Sequence, residues 1–76
     1  MIRKDAEKLV VDSICEHLDL SYVDMTTNLR SLKADSLDVV QICIIMESKT
    51  GLEIKPPKML KDIQTVSDLV RLVEVL

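Results

Sequence analysis

A serine between two aspartates, in the run Lys33-Ala34-Asp35-Ser36-Leu37-Asp38, is the one local feature of this chain that could carry chemistry. It ends a polar stretch and opens an apolar one. A hydroxyl placed there stands at the positive end of a helix, where free backbone N–H groups and the helix dipole favour a phosphate. Asp35 and Asp38 oppose a phosphate by charge, yet they could help bind a metal ion while one is transferred. On the hexapeptide alone, a plain helix start with Asp35 and Ser36 as capping residues is the better reading.

No other enzyme-like constellation is present. His17, the only histidine, falls on an expected helix among charged neighbours and reads as a solvated or partly packed imidazole. There is no glycine-rich phosphate loop and no Cys/His spacing for zinc, so no metal site of the chain's own is expected. Cys15 and Cys43 read as two small buried or half-buried residues in a reducing cytoplasm. The net charge is −3, with no basic stripe and no aromatic platform, which argues against nucleic acid. No apolar run is long enough to span a bilayer, and Met1-Ile2-Arg3-Lys4-Asp5 lacks the apolar stretch of a signal peptide. A cytoplasmic monomer without membrane insertion is the expectation.

The elements that must hold Ser36 are helical. The chain has 76 residues, one glycine and two prolines, and its large apolar residues are Leu, Val, Ile and Met with a single tyrosine. Residues 1–76 are therefore expected to form one all-α domain. Ile2, Ala6, Leu9, Val10 and Ile14 make a helical stripe that Leu18 extends, predicting a first helix over about Arg3–Leu18. Asp19–Asp35 is rich in turn formers and reads as a long connection, which Leu20, Val23, Met25, Leu29 and Leu32 could pin to the core. Asp35 is a good N-cap, and a second helix runs from Ser36 to about Thr50, closed by Gly51. It is apolar on several sides, so it is either central or carries a second contact surface. Pro56-Pro57 restarts the chain, Lys58–Asp62 leaves room for a short helix, and Thr65-Val66-Ser67-Asp68 resembles a capping box. Val66, Leu69, Val70, Val73 and Leu76 stripe the last helix.

The stretch Leu32-Lys33-Ala34-Asp35-Ser36-Leu37-Asp38-Val39-Val40 resembles the prosthetic-group segment of acyl carrier proteins. The likeness continues through Met46-Glu47, Leu52-Glu53-Ile54 and Ile63-Gln64-Thr65-Val66, and it covers essentially the whole chain. It implies a four-helix acyl-carrier-like bundle with three longer helices, a short third helix and a long first loop. It also implies a covalent 4′-phosphopantetheine on Ser36, moved there from coenzyme A by a phosphopantetheinyl transferase, with Asp35 helping to hold the transferase's magnesium. The arm's thiol would carry acyl groups as thioesters to acyl-transferring and chain-extending enzymes, the carrier itself catalysing nothing. By the same resemblance Leu37, Val40 and Ile44 would meet those enzymes, Asp38 and Glu47 would present acidic contacts, and Cys43, Met46, Ile54 and Ile63 would line an acyl-chain cleft.

The chain departs from fatty-acid carriers in several places. Gln41 replaces a usual acid, Thr50 an aromatic that often closes the second helix, and Lys33 a common glycine. The first loop is a few residues short. Between Asp35 and Lys61 four acids and four lysines cancel, where an acidic run is usual. These departures leave a dedicated carrier of a polyketide, lipid or other specialised pathway as open as a housekeeping fatty-acid role. Two further readings need no modified serine. One is a carrier-like structural subunit, and the other an unrelated helical regulator; both would use the apolar second helix as a docking surface.

Overall fold

The computed structural model describes residues 1–55 and 62–75. Among these residues the protein is all-helical, with α1 at Arg3–Leu18, α2 at Ser36–Thr50, α3 at Val66–Glu74 and a 3₁₀ turn at Leu29–Leu32. Three longer helices and a long first connection are as expected. The short helix expected over Lys58–Asp62 falls on residues outside those described, Asp62 excepted, so three α-helices rather than four are seen. Pro56, Pro57 and Leu76 also lie outside them.

Helix α1 is the common support, packing against both α2 and α3. Its inward stripe is Ala6, Val10, Ser13 and Ile14. Two small residues on that stripe let the neighbouring helices approach closely. The helix stops where Asp19 takes a left-handed backbone, and the Leu20 N–H donates to Cys15 O at 2.9 Å. At its other end, Arg3 pairs with Glu74 at 2.9 Å, tying the start of α1 to the end of α3.

The core is aliphatic and sulfur-bearing throughout. Ala6, Val10, Ile14, Val23, Leu29, Val39, Ile42, Cys43, Met46, Ile54, Val66, Leu69, Val70 and Val73 form one buried cluster. One polar side chain interrupts it. Ser13 is fully buried, and its hydroxyl has no hydrogen-bond partner among the described residues. A buried hydroxyl without a partner loses its water and gains nothing back.

The long connection is held by backbone as well as by side chains. Val23 and Leu29 are buried in the core, as expected of pinning residues, whereas Leu20 and Tyr22 are exposed. The stronger constraint is a strand-like pairing with the start of α3. Leu29 N–H donates to Gln64 O at 2.8 Å, Val66 N–H to Thr27 O at 3.0 Å and Ser67 N–H to Met25 O at 2.9 Å. Asn28 and Thr65 form an isolated antiparallel bridge. The first amides of a helix have no intrahelical acceptors, and here the first loop supplies them.

The rest of that helix start is a capping box, as the Thr65-Val66-Ser67-Asp68 run predicts. Thr65 Oγ1 accepts from Asp68 N–H at 3.3 Å, and Asp68 Oδ2 accepts from Thr65 N–H at 2.9 Å. The backbone N–H groups of Thr65 and Gln64 hold the Asp68 carboxyl below its usual range, helped by Arg71. Two substitutions follow from this packing, both read by chemical denaturation. Thr65→Ala should cost about 1 kcal/mol, the worth of an N-cap. Ser13→Ala should instead stabilise the fold by about 1 kcal/mol, because it removes a buried group that pairs with nothing.

Candidate functional site

The approach to Ser36 is a sequence of tight local bonds. Asn28 Oδ1 accepts from Arg30 N–H at 2.8 Å and starts the 3₁₀ turn, and the Ser31 hydroxyl donates back to Asn28 O at 2.6 Å. The turn ends at Lys33, whose N–H donates to Arg30 O, while Ala34 N–H donates to Leu29 O at 3.0 Å. Lys33 has φ 60 and ψ 26, in the left-handed region. That conformation crowds a Cβ, so a lysine here is strained where glycine would not be.

Asp35 then caps α2 with an extended backbone. The capping is reciprocal. Asp35 Oδ1 accepts from Asp38 N–H at 3.0 Å, and Asp38 Oδ2 accepts from Asp35 N–H at 2.9 Å. Ser36 is the first helical residue and is exposed. The amides of Ser36 and Leu37 have no intrahelical acceptor, so the positive end of α2 opens beside the Ser36 hydroxyl. A pocket of about 160 Å³ adjoins it, lined by Leu29, Arg30, Ala34, Asp35, Ser36, Val39, Ile63 and Gln64. An exposed hydroxyl, helix-start amides without an acceptor among the described residues and a part-apolar pocket with one arginine suit a group that begins with a phosphodiester and continues as a flexible chain.

One feature of the site has no local sequence signature. His17, from the last turn of α1, places Nε2 2.8 Å from Asp38 Oδ1. The side chains of His17 and Asp38 are 23% and 27% exposed, so the contact is half-sheltered. Asp38 is held below the usual carboxylate range, first by the Asp35 backbone N–H and then by His17. By sequence alone His17 reads as a solvated or partly packed ring. The spacing of 21 residues between two helices gave no signal for the pair.

The other expected site residues divide into groups. Leu37 and Ile44 stand out of α2 at 73% and 51% exposure, while Val40 is half-buried. Asp38 and Glu47, expected as acidic contacts, both have internal hydrogen bonds: Glu47 Oε1 accepts from Ile54 N–H at 3.0 Å and holds the chain just beyond Gly51. Of the expected cleft residues, Ile63 lines the pocket beside Ser36. Met46, Cys43 and Ile54 are 0%, 1% and 1% exposed and belong to the closed core. Burial and the nearby Glu47 push the Cys43 thiol up to about 11, so it stays an inert thiol at neutral pH.

The strain at Lys33 is directly testable. Lys33→Gly should stabilise the fold by roughly 0.5–1 kcal/mol, the relieved left-handed cost less the extra chain entropy of glycine. A shift in denaturant midpoint with unchanged slope would report it.

Comparison with known proteins agrees with this geometry. The family profile described as "Phosphopantetheine attachment site" matches residues 8–73. Proteins named acyl carrier protein from Rickettsia typhi and Rickettsia prowazekii are each 34% identical over 71 residues, covering 90% of this chain and 81% of theirs. That of Rickettsia massiliae matches to the same extent. No solved structure gives a significant match. An exposed serine opening a capped helix, within a chain that aligns with these relatives over nine-tenths of its length, places this protein in the acyl carrier protein family, whose cofactor is 4′-phosphopantetheine.

Proposed function

We propose that residues 1–76 form one carrier domain that holds acyl intermediates as thioesters on a phosphopantetheine arm at Ser36 and delivers them to biosynthetic enzymes. The observation that carries this reading is Ser36 itself: an exposed hydroxyl on the first residue of α2, next to unclaimed amides and a reciprocally capped Asp35. In the loading step Ser36 Oγ attacks the phosphorus of coenzyme A that bears the pantetheine. The new Oγ–P bond replaces the P–O bond to the nucleotide, which leaves as 3′,5′-ADP, and the hydroxyl proton passes to a base of the transferase. Asp35 has one carboxylate oxygen bonded to Asp38 N–H and the other without a partner among the described residues. That second oxygen suits a magnesium ion held mainly by the transferase. Once attached, the arm supplies a terminal thiol that carries acyl groups, and the chain's own residues position and shelter it.

Leu37, Ile44 and the edge of Val40 form the docking face for the transferase and for acyl-transferring and chain-extending enzymes, in fatty-acid, polyketide or another specialised synthesis. Exposed leucine and isoleucine at a seven-residue spacing share one side of α2, which is the pattern of a helix meeting a groove. Cargo enters past Ile63 from the pocket beside Ser36, and reaches Cys43, Met46 and Ile54 by parting the core. An aliphatic core with a flexible methionine can yield in this way at small cost. Among the described residues no helix is long and apolar enough to cross a membrane, and the working form we propose is a cytoplasmic monomer.

Loading is the deciding experiment. Wild-type protein incubated with coenzyme A, magnesium and a broad-specificity transferase should gain one phosphopantetheine by intact mass. Ser36→Ala should gain none while keeping its helical circular dichroism. A labelled alanine variant would refute Ser36 as the site. An unlabelled wild type would favour an unmodified module that docks through α2.

A further inference from the structure

The hydrogen bonds at the start of α2 do not end within that helix. Asp38 uses Oδ2 to accept from Asp35 N–H and Oδ1 to meet His17 Nε2 at 2.8 Å. A carboxylate has no proton to offer, so Nε2 carries the hydrogen and donates it, whether the ring is neutral or charged. Asp35 in turn accepts from Asp38 N–H through Oδ1. One continuous chain therefore runs from α1 through Asp38 to Asp35, the residue before the attachment serine. Among the described residues, the His17–Asp38 contact is the only hydrogen bond or ion pair joining α1 to the first turn of α2. The other charged link between these helices, Glu16 with Lys49 at 2.9 Å, lies at the last turn of α2.

A capping box on a free helix end opens and closes, and its side chains rotate when it opens. Here Asp38 cannot rotate away without giving up its contact with His17 of α1. Fixing Asp38 fixes the Asp35 backbone and, through the returning bond, the Asp35 carboxylate. Asp35 then presents its unpartnered oxygen in one orientation beside the Ser36 hydroxyl.

We propose that His17 is a positioning residue for the modification of Ser36, acting through Asp38 to hold Asp35 and Ser36 in the arrangement that a transferase's metal and coenzyme A must meet. The proposal rests on the carrier reading and adds to it a residue from a different helix, 19 positions before the serine in sequence.

The test is a double-mutant cycle on loading, with His17→Ala, Asp38→Ala and the pair, plus His17→Gln. The glutamine side-chain amide can donate to Asp38 without any charge. Rates of phosphopantetheine transfer from coenzyme A are compared as kcat/KM, at a temperature where circular dichroism shows each variant folded. His17→Ala should lower kcat/KM about tenfold, the loss expected of one cap-sized interaction. His17→Gln should recover most of it. In the Asp38→Ala background, removing His17 should change the rate by less than about twofold, the scatter of independent sites. Amide exchange provides a second readout, in which His17→Ala should speed exchange at Asp35 and Asp38 well before it does so at Val10 or Val70. Equal losses in both backgrounds, no recovery with glutamine, or a wild-type rate in His17→Ala would overturn the proposal. A wild type labelled at Ser36 together with any of these results leaves the carrier reading standing. A wild type that takes no label at all removes both.

Discussion

Two carboxylates three residues apart, each accepting the other's backbone N–H, close the start of α2. A helix end exposes amides that must find partners, and a serine displayed there is useful only if the turn bearing it is fixed. Asp35 and Asp38 satisfy the two amides on either side of Ser36 and Leu37, and those two have no acceptor among the described residues. The arrangement also softens a conflict of charge. Under the proposed loading of Ser36, two adjacent acids should repel the incoming phosphate, yet both point at backbone donors, and Asp38 faces His17 as well. The backbone donors offset part of their negative charge at the helix end, next to the amides of Ser36 and Leu37.

The same economy joins the first loop to α3. The carbonyls of Met25 and Thr27 cap the first amides of α3, and Leu29 N–H returns a bond to Gln64 O. The residues that receive these bonds neighbour Ile63 and Gln64, which wall the pocket beside Ser36. The loop that leads to the serine is thus tied to the segment before α3 that walls its pocket. Strain is tolerated there: Lys33 holds a left-handed turn because the bonds on both sides of it, from Asn28 to Ala34, determine the path of the chain.

What was legible in the sequence was local. The bounds of α1 and α2, the glycine closing α2 at φ 72 and the Thr65–Asp68 box each depend on residues within one turn of one another. The attachment segment could be recognised because its residues are contiguous. Contacts across the fold were not legible. His17 and Asp38 meet because α1 crosses α2, and neither residue type nor spacing announces a crossing. The loop's backbone bonds to α3 use groups that every residue carries, so no side chain marks them. Cys43 and Met46 illustrate a different limit, since an apolar position on an amphipathic helix reads the same whether it lines a cleft or fills a closed core.

The outward face of α2 shows how these internal bonds shape what remains for a partner. Asp38 and Glu47 each have at least one carboxylate oxygen bound to a backbone amide, which fixes where their charge sits and shields part of it. Between them the exposed positions are Gln41 and Ile44, neither of them charged. Steering at a distance depends on net field, whereas residence depends on apolar contact made after encounter. On the docking role proposed for this helix, Leu37 and Ile44 exposed on a face of low charge favour a partner that holds it by shape and burial over one that draws it in by electrostatics. A partner that matches it therefore needs a complementary apolar groove, and a basic patch alone would find few free carboxylate oxygens to bind.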